Sequence, residues 1–302
     1  MTGALVSFMS MAIAGRELSA ELGTFEILFF RSAIGLLVVC AVLSRAGWHH
    51  IKTEHFGLHL IRNIAHYVGQ YGWFFAISLI PLAQVFALEF TVPIWMALFA
   101  PLLLGERVTL LRALVIAIGF SGILIILRPG MVPLDIGTLS ALIGALGYAL
   151  AHTLTKKITR TDSPLAVIFF MTVLQLPMGA VPSAFEWITP TTAMYPWLLV
   201  VGVTALSAHY CLARAFAHAD AVVVIPMDFL RLPLIAVVGL VVYHEPLDPW
   251  VLAGAAVICG GIFLSILKER CRKHTLVPRP LLPPPSLGII LNLIQDDAEG
   301  GA

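Results

Sequence analysis

Apolar residues fill most of this chain in long runs, separated by short polar breaks. A helix needs about 20 mainly apolar residues to cross a bilayer. Runs of that kind fall at roughly 1–17, 25–43, 58–79, 83–103, 110–127, 136–155, 164–182, 196–216, 220–243 and 249–267. The breaks read GRELSAELGT, SRAGWHHIKTEH, IPLA, LGERVT, RPGMVPLD, TKKITRTDS, PSAFEWITPTTAMY, FAHADA and HEPLDP. None is long enough to fold into a soluble domain, so any function must be built by the membrane bundle itself. The pattern predicts an all-α integral membrane protein of ten transmembrane helices. The first run begins at Met1 without a cytoplasmic lead-in and is shorter than the others.

Composition agrees with the pattern. The chain is 59% hydrophobic and 12% charged, with a mean hydropathy of +0.95. Soluble domains run at about 45–50% apolar and about 25% charged. A net charge of +1 argues against a nucleic-acid partner, which would call for a basic excess. Cys40, Cys211, Cys259 and Cys271 are scattered without a CxxC or zinc-like spacing, so no disulfide framework is expected. No cleavable signal peptide is expected either, because the N-terminal run lacks a basic leader.

Orientation follows from Lys and Arg. With the N-terminus inside, the inner breaks and tail carry Arg45, Lys52, Arg107, Lys156, Lys157, Arg160, Lys268, Arg270, Arg272 and Lys273. The outer breaks carry only Arg16 and Arg128. Both termini are therefore expected in the cytoplasm, with the chain multi-pass in the inner (plasma) membrane. The tail changes character: KERCRKH is a basic cluster suited to an anionic leaflet, and VPRPLLPPPS is Pro-rich. Residues 269–302 are expected to be a cytoplasmic, disordered tail.

The two halves match at an offset of 139. Glu106 falls on Glu245, Tyr71 on Tyr210, Ala76 on Ala215, Gly122 on Gly261, Phe90 on Phe229 and Glu89 on Asp228. At an offset of 140, Phe29 and Phe30 fall on Phe169 and Phe170. The expected units are 1–130 and 131–268, each of five helices. A second copy of an odd-numbered unit enters the membrane upside down, which gives two inverted five-helix repeats. Many secondary transporters are built that way, with the site near the midplane between the halves.

A charge at a helix centre costs about 2.5–3.5 kcal/mol on insertion scales, so intramembrane ionisable groups usually face a cavity or a partner. The deepest are Glu26, Arg31, His66, Gln70, Glu89, His152, Gln175, His209, Arg214, Asp228 and Arg231. Glu89 and Asp228 are the sharpest pair. Each lies six to eight residues into its helix, and each is followed by a proline, Pro93 or Pro233. A freed carbonyl is usable where it lines a wet cavity, so acid plus proline, twice, reads as a cavity wall and a helix break suited to gating. Because the two helices run oppositely, the acids are expected on opposite sides of the midplane. The competing reading is structural. Asp228 and Arg231 are spaced i,i+3 and can neutralise each other. Glu89 has no basic residue within a turn, and must find a partner on another helix, with Arg31 the guess, or be protonated. His66 and His209 read equally well as packing residues or as substrate ligands. Tyr71, with Tyr67, Trp73 and Phe74, can stack on a planar substrate or simply pack. Arg62, near the end of its helix, can snorkel. No phosphate loop, HExxH or GxSxG occurs. No cofactor or metal is expected, and the loop histidines His49, His50 and His55 with Glu54 read as solvated.

The segment PLAQVFALEFTVPIWMALFAPLLLGERVTLLRALVIAIGFSGILIIL is answered by HADAVVVIPMDFLRLPLIAVVGLVVYHEPLDPWVLAGAAVICGGIFL. Ten helices in that arrangement resemble the EamA-type families of the drug/metabolite transporter superfamily, over residues 1–268. TFEILFFRS and RNIAHYVGQYGWFFAISLIPLA resemble the branch of S-adenosylmethionine and riboflavin uptake carriers. The shortened first helix departs from the family pattern. The resemblance implies an inner-membrane carrier of small organic metabolites and not an enzyme, in a superfamily holding both importers and exporters. The expected partners are a small-molecule substrate and the lipid bilayer; a homodimer is left open. The substrate-binding or coupling set read from the residues is Glu89, Asp228, Arg231, Arg31, His66, Gln70, Tyr71, His209 and Tyr210. An intramembrane enzyme would need a reactive cluster at one membrane face, and none is seen. A structural membrane protein explains the hydrophobicity but not the repeat or the paired acids.

Overall fold

The computed structural model describes residues 1–105, 109–131, 134–218 and 227–276. No strand occurs among them. The helices are α1 (Thr2–Leu18), α2 (Thr24–Ala46), α3 (Phe56–Leu79), α4 (Leu82–Glu89), α5 (Val92–Leu104), α6 (Leu110–Leu127), α7 (Ile136–Ile158), α8 (Pro164–Ser183), α9 (Tyr195–His218), α10 (Arg231–Val242) and α11 (Pro249–Leu276). The chain forms a compact bundle, Met1–Ser265, and a second unit from Ile266 whose described part is the helical stretch 266–276. The expected disordered tail, 269–302, differs at its start, where the last helix continues to Leu276; the rest of the tail, the GERVT loop around Glu106 and the start of the ninth span fall outside the described residues.

Five stretches are long and apolar enough to cross a bilayer by length and composition: Thr24–Ala46, Leu82–Leu104, Ile136–Ile158, Pro164–Ser183 and Pro249–Lys268. Helix α3 is long enough but carries His59, Arg62, Asn63, His66 and Gln70. All five of these side chains are buried in the bundle, so the helix that looks too polar for lipid turns its polar face inward.

The helix pairings carry the internal symmetry. Helix α1 packs on α9, and α3 packs on α7; exchanging the two repeats turns one pair into the other. The α2·α9 and α3·α8 contacts are exchanged in the same way, and α2·α8 maps onto itself. The fold is all-α and integral to the membrane, its ten spans arranged as two inverted repeats, with the heart of the bundle formed between them.

Glycines set how closely these pairs approach. At the α3·α7 crossing, a Cβ on Gly72 would lie 2.5 Å from the Ser140 carbonyl oxygen, and one on Gly147 would lie 2.6 Å from the Gly69 nitrogen. The backbones therefore touch directly, as small residues permit in membrane helices. The same device joins α6 to α11, where a Cβ on Gly122 would lie 2.8 Å from the Gly254 carbonyl.

The fourth span is broken. Helix α4 ends at Glu89 and α5 starts at Val92. The break is closed locally: the Thr91 amide and hydroxyl both donate to the Leu88 carbonyl, at 3.0 and 2.6 Å. The ninth span has the same interruption, with a helical turn through Phe229, a turn at Leu230, and α10 from Arg231. Neither proline sits at its break. Pro93 is the second residue of α5 and Pro233 the third of α10. In a first turn the missing N–H has no intrahelical partner to lose. The prolines start the downstream segments, and the breaks come immediately beside the two acids.

Candidate functional site

Both breaks meet at one point, because α4 packs against α10. There Arg231 donates through Nη2 to Asp228 Oδ2 at 2.8 Å and through Nη1 to Glu89 Oε1 at 3.4 Å. Trp73 of α3 donates its indole N–H to the other Glu89 oxygen at 2.8 Å. The guanidinium also lies over aromatic faces, 4.4 Å from the Phe8 centroid and 5.4 Å from that of Phe90. Phe90 and Phe229, matched by the repeat, meet edge to face at 5.2 Å. Arg231 is 5% exposed. One buried cation is thus shared by two carboxylates, one from each repeat.

This geometry revises two expectations. Arg31 does not reach Glu89; the partner is Arg231. Nor are the acids held apart across the midplane. Glu89 is the eighth residue of the stretch Leu82–Leu104, so it lies only about 6 Å from the middle at 1.5 Å per residue. A long arginine side chain covers such an offset, and the acids share it. The i,i+3 pairing of Asp228 with Arg231 is present, extended to Glu89.

A second polar network runs through α3, α7 and α8. Gln70 Nε2 meets His66 Nδ1 at 2.8 Å, and Gln175 Nε2 meets the same nitrogen at 3.0 Å and Asn63 Oδ1 at 3.2 Å. Arg62 bonds Asn63 Oδ1 at 2.9 Å and Thr155 Oγ1 at 3.0 Å. It is 5% exposed and does not snorkel. Tyr148 and His152 stack beside His66, with the Tyr148 ring 5.5 Å from the His66 ring.

At the end of the bundle where α1 finishes, Arg16 donates to Glu245 and, at 3.1 Å, to the Ile80 carbonyl. Glu245 also accepts from the Leu82 amide at 2.8 Å. Tyr243 donates to Glu17 at 2.8 Å. Segments from both repeats are thereby latched together. In the sequence Arg16 stands only as a charge in an outer break, and Glu245 only as the repeat match of Glu106.

The remaining predicted residues fall elsewhere. Tyr71 packs between Phe25, at 4.6 Å, and Phe75, at 5.8 Å. Tyr210 is 66% exposed on the outside of the bundle. The side chains of His209 and Arg214 lie outside the described residues. Glu26 bonds the Gly23 and Ile188 amides at 3.3 and 2.8 Å, which caps α2. Arg31 lines a small cavity between α2, α8 and α9 with Ser32, Gly35, Thr172, Gln175 and Gly202.

The sequence matches the EamA-like transporter family twice, over residues 1–128 and 135–267. It is 30% identical to a riboflavin transporter of Brucella anthropi, over 86% of this chain and 95% of that protein. It is 24% identical to an S-adenosylmethionine uptake transporter of Rickettsia bellii, over 88% and 91% of the two chains. It is 27% identical to a pseudopaline exporter of Pseudomonas aeruginosa, over 87% and 93%. A solved crystal structure shares the fold with a TM-score of 0.60, at 18% identity, over 89% of this chain and 98% of that one.

Proposed function

The chain belongs to the EamA-like transporter family, membrane proteins that move small metabolites, and on that premise we propose that it is a secondary carrier working by alternating access of two inverted repeats in the bacterial plasma membrane. The repeats are residues 1–130 and 131–268, and both termini face the cytoplasm. The observation that carries this reading is the Glu89–Arg231–Asp228 cluster. It joins the repeats where their interrupted helices cross, and with both acids ionised it holds one negative charge more than positive. That surplus suits a proton or a cationic group of the cargo. Rocking one repeat against the other changes which end of the cluster is open. In this orientation the Arg16–Glu245 latch closes the outer end. S-adenosylmethionine and riboflavin, named in relatives' functions, are the first solutes to test.

The test is flux in proteoliposomes. Protein is loaded with each solute and challenged with and without a proton gradient. Gradient-driven accumulation is expected for one solute. Glu89→Gln keeps the acceptor for Trp73 but loses the charge, and is expected to abolish accumulation while sparing solute exchange. Accumulation unchanged in this variant would remove the cluster from the mechanism, and absence of flux for every solute would remove the carrier reading.

A further inference from the structure

Arg31 is buried inside the bundle, and no acid pairs with it among the described residues. It is 6% exposed, and its guanidinium makes no hydrogen bond or ion pair with any described residue. A buried charge is normally paired or neutralised. Arg231 and Arg62 each have partners, so the lone guanidinium needs its own explanation.

Its neighbours point the same way. Arg31 and Ser32 of α2 face Thr172 and Gln175 of α8 across one cavity, with Gly202 of α9 as part of the wall. Ser32 Oγ and Gln175 Oε1 are also buried without partners, at 2% and 1% exposure. Gln175 is not free to turn, because its Nε2 is engaged by His66 and Asn63. Its carbonyl is therefore left as a fixed acceptor. Small residues bring the three helices close around it: a Cβ on Gly35 would lie 3.1 Å from the Thr172 methyl, and one on Gly202 would lie 2.5 Å from Ile34. Helix α2 belongs to one repeat, and α8 and α9 to the other.

The geometry points to a substrate subsite for the carboxylate of a small metabolite that carries an N–H or O–H donor next to it. Arg31 takes the carboxylate through its fork of donors, a geometry that matches two oxygens. The Ser32 hydroxyl donates to the same group. Gln175 Oε1 accepts from the neighbouring donor. One guanidinium balances one negative charge, so a carboxylate is favoured over a phosphate monoester, which would leave a surplus charge in the bundle. The assignment rests on the carrier reading and names the class of cargo. It places the cargo's acid group here, apart from the Glu89–Arg231–Asp228 cluster.

Purified protein in nanodiscs is titrated with S-adenosylmethionine, lactate and the proteinogenic amino acids, each beside its primary amide, with binding read by calorimetry. At least one acid is expected to bind more than tenfold tighter than its amide. Arg31→Gln is expected to erase that preference, Arg31→Lys to keep part of it, and Ser32→Ala to weaken it severalfold. Elution as a monodisperse, helical protein confirms that each variant is folded. An acid–amide preference that survives in Arg31→Gln, or the absence of any preference in the native protein, overturns the subsite. Flux of carboxylate-free riboflavin is measured in parallel. If it persists while the acid preference is absent, the subsite fails and the carrier reading stands; if no solute moves, the carrier reading fails.

Discussion

The shared guanidinium of Arg231 predicts that Glu89 and Asp228 are coupled rather than independent. Take the variants Asp228→Asn, Glu89→Gln and the double. At an effective dielectric of about 20, Coulomb's law gives about 6 kcal/mol for the 2.8 Å contact and about 5 kcal/mol for the 3.4 Å contact, before desolvation is subtracted. The two figures are close, so neither acid dominates. Either single variant leaves Arg231 one carboxylate and a neutral pair, and is expected to cost about 1 kcal/mol, the net worth of a typical hydrogen bond. The double leaves a guanidinium at 5% exposure with no acid at all. Uncompensated buried charges cost about 3–5 kcal/mol. The double should therefore exceed the sum of the singles by about 1–3 kcal/mol. The assay is thermal unfolding in detergent, followed by circular dichroism. For a chain of this size each kcal/mol moves the midpoint on the order of 2–4 °C. Additive shifts would refute the shared cation and make each acid a separate site.

Three further outcomes are expected. Glu245→Ala frees Arg16 and strips the Leu82 amide of its acceptor, so a cysteine introduced by Ala83→Cys, in a background without the native cysteines, should label severalfold faster with an impermeant maleimide; unchanged labelling would mean the latch does not control that end. Gly72→Ala forces a methyl to within 2.5 Å of the Ser140 carbonyl, so the α3·α7 pair must separate, at a cost of about 1–3 kcal/mol; a melting point within error of the native one would contradict the close crossing. At Asp162, burial would raise the carboxyl, but hydrogen bonds from Thr53, His59 and Thr161, with the His59 charge, outweigh it and hold the group below its ordinary value. A depressed folded-state value means stability that is present above about pH 4 and lost as pH falls through the depressed value; the gap in melting temperature between native protein and Asp162→Asn should be present at pH 5 and narrow progressively on acidification below about pH 4, and a gap that does not narrow on acidification would contradict it.

Much of the bundle is legible in the chain because a bilayer imposes one length and one polarity on every span. Among the described residues each of the ten runs carries helix, and the fourth and ninth are interrupted. What local pattern cannot give is the partner of a buried charge. Glu89 is as far in sequence from Arg231 as half the chain, and choosing Arg231 over Arg31 requires knowing that α4 crosses α10. The prolines announced the breaks but not their place, because Thr91 closes the turn with its own hydroxyl. The polar face of α3, by contrast, does carry a local signal. His59, Arg62, Asn63, His66 and Gln70 recur every three to four residues, which puts them on one face of α3. Read as a stripe, they predict a helix turned inward, with Asn63 and Arg62 in a shared network. The Arg16–Glu245 latch had no such signal, since it joins the last turn of α1 to a loop more than 200 residues away, with no common spacing.

The two unbalanced places in the bundle have opposite signs, and this bears on how a carrier with these residues would work. The cluster at the helix breaks carries one carboxylate more than guanidinium, while Arg31 carries a positive charge with no acid partner among the described residues. Each imbalance is costly wherever water is excluded. A closed, cargo-free state would expose both costs at once. Loading a carboxylate at Arg31 removes one, and a proton or cationic group at Glu89 and Asp228 removes the other. The least costly closed state is then the one with both sites filled, so movement of the repeats would favour the doubly loaded carrier. Coupling of cargo to a cation would follow from electroneutrality alone, without any contact between the two sites. Arg31→Gln relaxes one half of that requirement, so it should let the cation leak without cargo, which the same proteoliposomes would register as proton flux in the absence of solute.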